Sequence, residues 1–234
     1  MKKPHRNIVV ITGTDTAVGK TMVGAGLARA LVDRGVDVIA VKPVESGAPA
    51  DHAHSEDGAI LAEATRQAQP RHALTRLRAP LAPPVAAAEE GVRLDMDEWC
   101  AEIRSYAATT DLVLVEGAGG VLSPLTWTDT SRELATRLAA RAVIVAADRL
   151  GALNHTLMAM EVLEQAGVPT AAIVFSAPAA ADPSTGRNAE ALREFSGYDR
   201  VAVLPRVSSF EVAAGQLGIV AEWLIGPNAP GSSR

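Results

Sequence analysis

Ile8-Val9-Val10-Ile11-Thr12-Gly13-Thr14-Asp15-Thr16-Ala17-Val18-Gly19-Lys20-Thr21, close to the amino terminus, sets the architecture of the chain. The run Ile8–Ile11 is a short apolar strand bounded by turn residues, and helical spacing begins directly behind Thr21. Between them lies phosphate-cradle chemistry. Glycines let backbone N–H groups converge on phosphate oxygens, the helix N-terminus adds positive potential, and a lysine supplies a mobile charge. The strict G-x-x-x-x-G-K-[ST] pattern has glycine where this chain has Thr14, with Gly13 one place earlier. The strand–loop–helix context restores most of that specificity. A nucleoside triphosphate site follows, built from Asp15, Thr16, Ala17, Val18, Gly19, Lys20 and Thr21, with the Thr21 hydroxyl on Mg²⁺.

Further apolar runs recur at Val36–Val41, Leu112–Val115, Ala142–Ala147, Ala171–Phe175 and Val201–Leu204. Between several of them lie helical patterns. Thr21–Arg34 carries Met22, Ala25, Leu27, Ala30 and Leu31 and stops at Gly35, and Leu153–Gln165 carries Leu157, Met160, Val162 and Leu163 and stops at Gly167. Such β-α-β alternation predicts a single-domain, doubly wound α/β fold of the P-loop NTPase type. Its sheet should be mainly parallel, with helices on both faces. Gln69–Pro84, rich in Pro and Arg, reads as a long loop, and Leu94–Ala108 as a helix behind Asp95. One domain is expected over residues 1–226, with 227–234 as a flexible tail.

Composition agrees. Of 234 residues, 48% are apolar but only 3% aromatic, so the core must be Ala, Val, Leu and Ile, as in helix-covered parallel sheets. Net charge is −5, without a dense basic patch, so neither nucleic acid nor a membrane surface is expected as partner. Cys100 is the single cysteine, which excludes intramolecular disulfides and multi-cysteine metal clusters and reads as a small core residue. The leading residues MKKPHRN run into an apolar stretch too short for a secretory signal, so a cytoplasmic protein is expected.

Other segments carry chemistry. Lys42 follows the second strand, and ligands of such sheets bind outside the carboxyl ends of the strands, so Lys42 points toward the phosphates. Glu116 closes the run Asp111–Val115 ahead of Gly117-Ala118-Gly119-Gly120, a carboxylate at a strand tip suited to Mg²⁺. Asp57 reads either as a first-turn acid favouring the helix dipole or as a functional group, and His52 and His54 read as loop histidines.

Taken together, these residues resemble the dethiobiotin synthetases of biotin biosynthesis. The likeness runs in order through Gly13–Thr21, Lys42–Gly47, Ser55–Leu61, Ala79–Ala87, Val115–Pro124 and Leu150–His155. It implies an ATP-dependent carboxylase that joins CO₂ to 7,8-diaminononanoate and closes a cyclic urea. It also implies a seven-stranded parallel sheet and a homodimer with substrate at the interface. Carried over, Lys20 and Lys42 are catalytic, Lys20 meeting the transferring phosphate and Lys42 the substrate carbamate. Thr21, Asp57 and Glu116 hold Mg²⁺. Ser46 and Gly119 lie by the substrate, and Gly151, Ala152, Leu153 and Asn154 of a second subunit receive its tail carboxylate. Ser176 stands where some members carry an adenine-reading Asn, and Ala191 where some carry a tyrosine. A nucleotide-dependent switch of the partitioning type is the alternative. It usually carries an additional lysine early in the loop, which Thr14-Asp15-Thr16-Ala17 lacks.

Overall fold

The computed structural model describes residues 7–48 and 56–226. The elements are β1 (Ile8–Gly13), α1 (Lys20–Val32), β2 (Val38–Val41), β3 (Val44–Ser46), α2 (Asp57–Thr65), β4 (Thr75–Leu77), α3 (Pro83–Glu90), α4 (Met96–Ala107), β5 (Leu112–Gly120), α5 (Ser131–Arg137), β6 (Arg141–Ala147), α6 (Ala152–Gln165), β7 (Thr170–Ser176), α7 (Asn188–Ser196), β8 (Val201–Leu204), α8 (Phe210–Gln216) and α9 (Gly218–Ile225). His52, His54, Ser55 and the expected tail 227–234 lie outside the described residues.

The central sheet runs β2-β5-β1-β6-β7-β8, each neighbouring pair parallel. Side chains of its strands divide between its two faces. Ile8, Val10, Val113, Val115, Ile144 and Phe175 pack under α4, α5, α6 and α7. Val9, Ile11, Leu112, Leu114, Val143 and Val174 pack under α1, α2, α8 and α9. Each strand is thus covered on both sides, which is why the sequence reads as continuous apolar runs. Cys100 is buried in the first of these cores, where burial pushes its thiol above the usual range.

Among the described residues the central sheet has six strands, one fewer than the resemblance implied. Pro43 has no N–H to donate, so the ladder of β2 stops before it and the chain restarts as β3, which pairs in parallel with β4 in a separate two-stranded sheet. Most of the segment read as a loop, Gln69–Pro84, is irregular, and its regular parts are β4 and the first two residues of α3. β4 is three residues long with Arg76 at its centre, too short to show a period, and Pro83 and Pro84 open α3 because the first helical N–H groups need no partner. β2 starts at Val38, two residues later than the apolar run, and β5 continues to Gly120, so Glu116 lies within the strand and not at its tip.

After β5, the loop that brings Ser123 and Pro124 to the site is tied down by Asp129. Its carboxylate accepts from the Thr126 hydroxyl at 2.8 Å, the Thr128 hydroxyl at 2.7 Å and Arg137 at 2.6 Å. Burial would raise its pKa, but the two hydroxyls and the guanidinium hold it below the usual carboxylate range. A depressed acid stabilises the fold above its unfolded value of 3.8 and loses that contribution as pH falls through the lower folded value. Asp129→Ala should lower stability at neutral pH by about 1–3 kcal/mol. Urea midpoints should converge with those of the unmodified protein as pH falls below 3.8 and through the lower folded value.

Candidate active site

β1 delivers the phosphate loop to the carboxyl edge of the sheet. The loop turns left-handed at Ala17 (φ 57°) and again at Gly19 (φ 96°), a backbone of the kind that gathers N–H groups around an anion. A side chain at Gly13 would place its first carbon 2.8 Å from the Asp15 carbonyl oxygen and 3.1 Å from that of Gly119. Position 13 therefore needs glycine, which explains the displaced glycine of the motif. At Gly19 the same atom would lie 2.6 Å from the Ser176 hydroxyl, so Ser176 rests directly on the loop.

Lys20, the first residue of α1, is buried, and its ammonium donates to the Asp15 carbonyl at 3.0 Å. Burial holds its pKa below the ordinary lysine value. A buried cation bonded to a neutral carbonyl is a ready receiver for an anion.

Lys42 is its opposite. Placed just beyond β2 and 4% exposed, it donates to Asp57 at 2.5 Å and to Glu116 at 2.7 Å. Burial would depress it, but these carboxylates hold its ammonium well above the usual lysine range. Glu116 Oε1 also accepts from the Thr21 hydroxyl at 2.9 Å. Burial pushes Glu116 up against the pull of Lys42. At Asp57, half-exposed, the same burial is outweighed by Lys42, which holds the carboxyl below its ordinary value. Asp57 opens α2, and its own N–H and that of Gly58 donate to the carboxylate of Glu45 at 2.7 and 3.0 Å. Sequence reasoning missed Glu45, because a lone glutamate beside turn residues carries no spacing signal.

These groups line one cavity of about 860 Å³ with Ser46, Gly119, Ser123 and Pro124. It joins the sequence-predicted Lys20, Thr21, Lys42, Ser46, Asp57, Glu116 and Gly119. Two carboxylates and a hydroxyl are hard oxygen donors of the sort Mg²⁺ takes alongside phosphate oxygens and water. Glu116 Oε2 is buried without a hydrogen-bond partner, so the residues fit such an ion. Among the described residues no group of three or more His, Cys, Asp or Glu is arranged to hold a metal.

A second cavity, about 400 Å³, adjoins the other side of the phosphate loop. Asp15, Thr16, Ala17, Val18, Gly19 and Ser176 line it, with Arg149, Pro178, Pro205 and Arg206, which sequence reasoning did not single out. Their one legible signal was position, since all follow the carboxyl ends of β6, β7 and β8. Gly151, Ala152, Leu153 and Asn154 line neither cavity of this chain. They start α6, with Ala152 buried and Asn154 and His155 exposed. Ala191 is half-buried on α7.

Residues 7–213 match the family profile described as an AAA domain. The chain is 38% identical over 213 residues to the ATP-dependent dethiobiotin synthetase BioD of Anaeromyxobacter dehalogenans (strain 2CP-C), covering 90% of this chain and 95% of that protein. It is 39% identical over 227 residues to the protein of the same name from Caulobacter sp. (strain K31), covering 95% and 97%. Among solved structures, the septum site-determining protein MinD complexed with Mg-ADP from Pyrococcus horikoshii OT3 superposes with a TM-score of 0.54 at 18% identity, over 97% of this chain and 91% of that one. A chain of the MinC:MinD cell division protein complex of Aquifex aeolicus gives 0.58 at 14% identity, over 96% of this chain and 97% of that one. At such identities the likeness is one of fold.

Proposed function

The chain belongs to the ATP-dependent dethiobiotin synthetase family, and on that basis we propose how its own residues divide the reaction. It is a ligase that makes dethiobiotin at the expense of ATP, in biotin biosynthesis. The substrates in this reading are 7,8-diaminononanoate and CO₂. One amine captures CO₂ as a carbamate and releases a proton. A carbamate oxygen then takes the terminal phosphoryl group, ADP leaves, and the neighbouring amine attacks the activated carbonyl and expels phosphate. That ring closure is intramolecular and needs no enzyme nucleophile.

The difficulty is the middle step, in which an anion must approach a polyanion. Two ammonium groups from separate segments offset that repulsion. Lys20 takes the transferring phosphate, for which its carbonyl-bonded ammonium is ready. Lys42 takes the carbamate, assisted by Ser46 and Gly119 in the same cavity. Thr21, Asp57 and Glu116 would hold Mg²⁺, which when bound neutralises phosphate charge. Asp15–Thr21 carry the phosphates, and Ser176 faces the nucleoside. We assign the substrate's tail carboxylate to Gly151, Ala152, Leu153 and Asn154 of a second copy of this chain, hence a homodimer acting in the cytoplasm. Among the described residues no helix is long and apolar enough to cross a membrane.

The observation that carries this division is the contrast between two neighbouring buried lysines, one bonded to a carbonyl and the other clasped by two carboxylates. The test is phosphate release measured with each substrate omitted in turn. Release should require both the diamine and CO₂ or bicarbonate, and a rate indifferent to the diamine would reject the reading. The nucleotide-switch alternative is not favoured, since its resemblance is to the fold alone and its extra lysine is missing from Thr14–Ala17.

A further inference from the structure

Glu45 lines the cavity and is 9% exposed, yet among the described residues its carboxylate is hydrogen-bonded to no cation. Its Oε1 accepts from the Asp57 N–H at 2.7 Å and its Oε2 from the Gly58 N–H at 3.0 Å. These two amides bracket the Cα of Asp57, so the bidentate clasp fixes the backbone torsions that aim the Asp57 side chain. The first amides of a helix need outside acceptors, which the residue before the helix normally supplies. Here that residue, Glu56, makes no such bond. Its carboxylate is engaged by Arg76 and, at 3.2 Å, by His72. Arg76 is the register partner of Glu45 across the β3–β4 pair. One two-stranded ladder therefore holds the start of α2 twice, by an acid on its amides and by a base on the preceding carboxylate. Asp57 in turn reaches Lys42 at 2.5 Å, a contact that a small shift of α2 would break.

The geometry points to Glu45 as a positioning residue that sets Asp57 for the divalent ion and Lys42. The inference rests on the metal role proposed for Asp57. Outer partners of metal-binding carboxylates typically contribute 10- to 100-fold to affinity.

The test is Mn²⁺ binding followed by electron paramagnetic resonance in the presence of β,γ-methylene ATP, with metal-free nucleotide affinity measured in parallel. Four proteins are compared: unmodified, Asp57→Ala, Glu45→Ala and Glu45→Gln. Glu45→Ala should weaken Mn²⁺ binding by about tenfold or more. Glu45→Gln, which keeps one acceptor oxygen, should fall between it and the unmodified protein. Metal-free nucleotide affinity should stay within about twofold in both, because neither touches the phosphate loop. A merely structural role would lower the melting temperature and leave Mn²⁺ affinity unmoved below it. If Glu45→Ala does not fold, the near-isosteric Gln variant decides between the two roles. Normal Mn²⁺ binding in the Glu45 variants, with Asp57→Ala weakened, would overturn this inference alone. Normal binding in Asp57→Ala would overturn the metal assignment and this inference with it.

Discussion

Lys42→Ala should lower dethiobiotin formation by about 100- to 1,000-fold, the range seen when one preorganised donor is removed from a developing anion. Nucleotide affinity should stay within about threefold, because the phosphate loop and Lys20 are untouched. The variant should also lose stability before any substrate is added. Glu116 is 1% exposed, and without the ammonium at 2.7 Å its carboxylate is a buried charge with a hydroxyl as its remaining partner. Removing one member of such a pair costs about 3–5 kcal/mol. The lower end applies here, since Asp57 is partly exposed and turns to water. The deficit has a defined pH dependence. Burial already raises Glu116, and loss of Lys42 raises it further, so the folded variant binds a proton that the unfolded chain releases above about 4.5. Urea midpoints should therefore separate from those of the unmodified protein as pH rises from 5 to 8. Near-normal turnover would remove Lys42 from the chemistry.

Lys20→Met should do the reverse to the free protein. Its ammonium is buried against a carbonyl, and burial disfavours its charged form. An apolar side chain of similar volume should raise the stability of the nucleotide-free protein by about 1 kcal/mol. Turnover should fall by at least about a thousandfold, since the transferring phosphate loses its cation. The rise in melting temperature on adding ATP should shrink to near zero, because that rise measures ligand affinity. Opposite signs for two lysines lining one cavity make a demanding comparison. If both variants lose stability equally, the distinction drawn between them is wrong.

Much of this was legible in the sequence, for identifiable reasons. Lys20, Thr21, Lys42 and Glu116 each follow or close an apolar run, and parallel strands present the residues at their carboxyl ends along one edge of the sheet. Their convergence is therefore a matter of topology, without tertiary detail. Asp57 was open to two readings because a first-turn acid is common at helix starts for dipole reasons alone. Glu45, β3 and β4 left no trace, since a three-residue strand has no measurable period and Glu45 meets backbone amides, which carry no side-chain signal. The two prolines of α3 misled, because proline breaks a helix in its interior and opens one at its first turn. The six apolar runs became the six strands of the central sheet, one fewer than the resemblance implied.

The strand order also has a bearing on biosynthesis. β1 leaves the ribosome first, yet its two neighbours pair Ile8 with Val113 and Val9 with Arg141. At about 5–20 residues per second, a nascent chain spends on the order of 10 s with its most apolar segment made and no mate for it. Contacts so distant along the chain also form slowly. Chains arrested before β5 should bind no nucleotide and should present Ile8–Ile11 to chaperones.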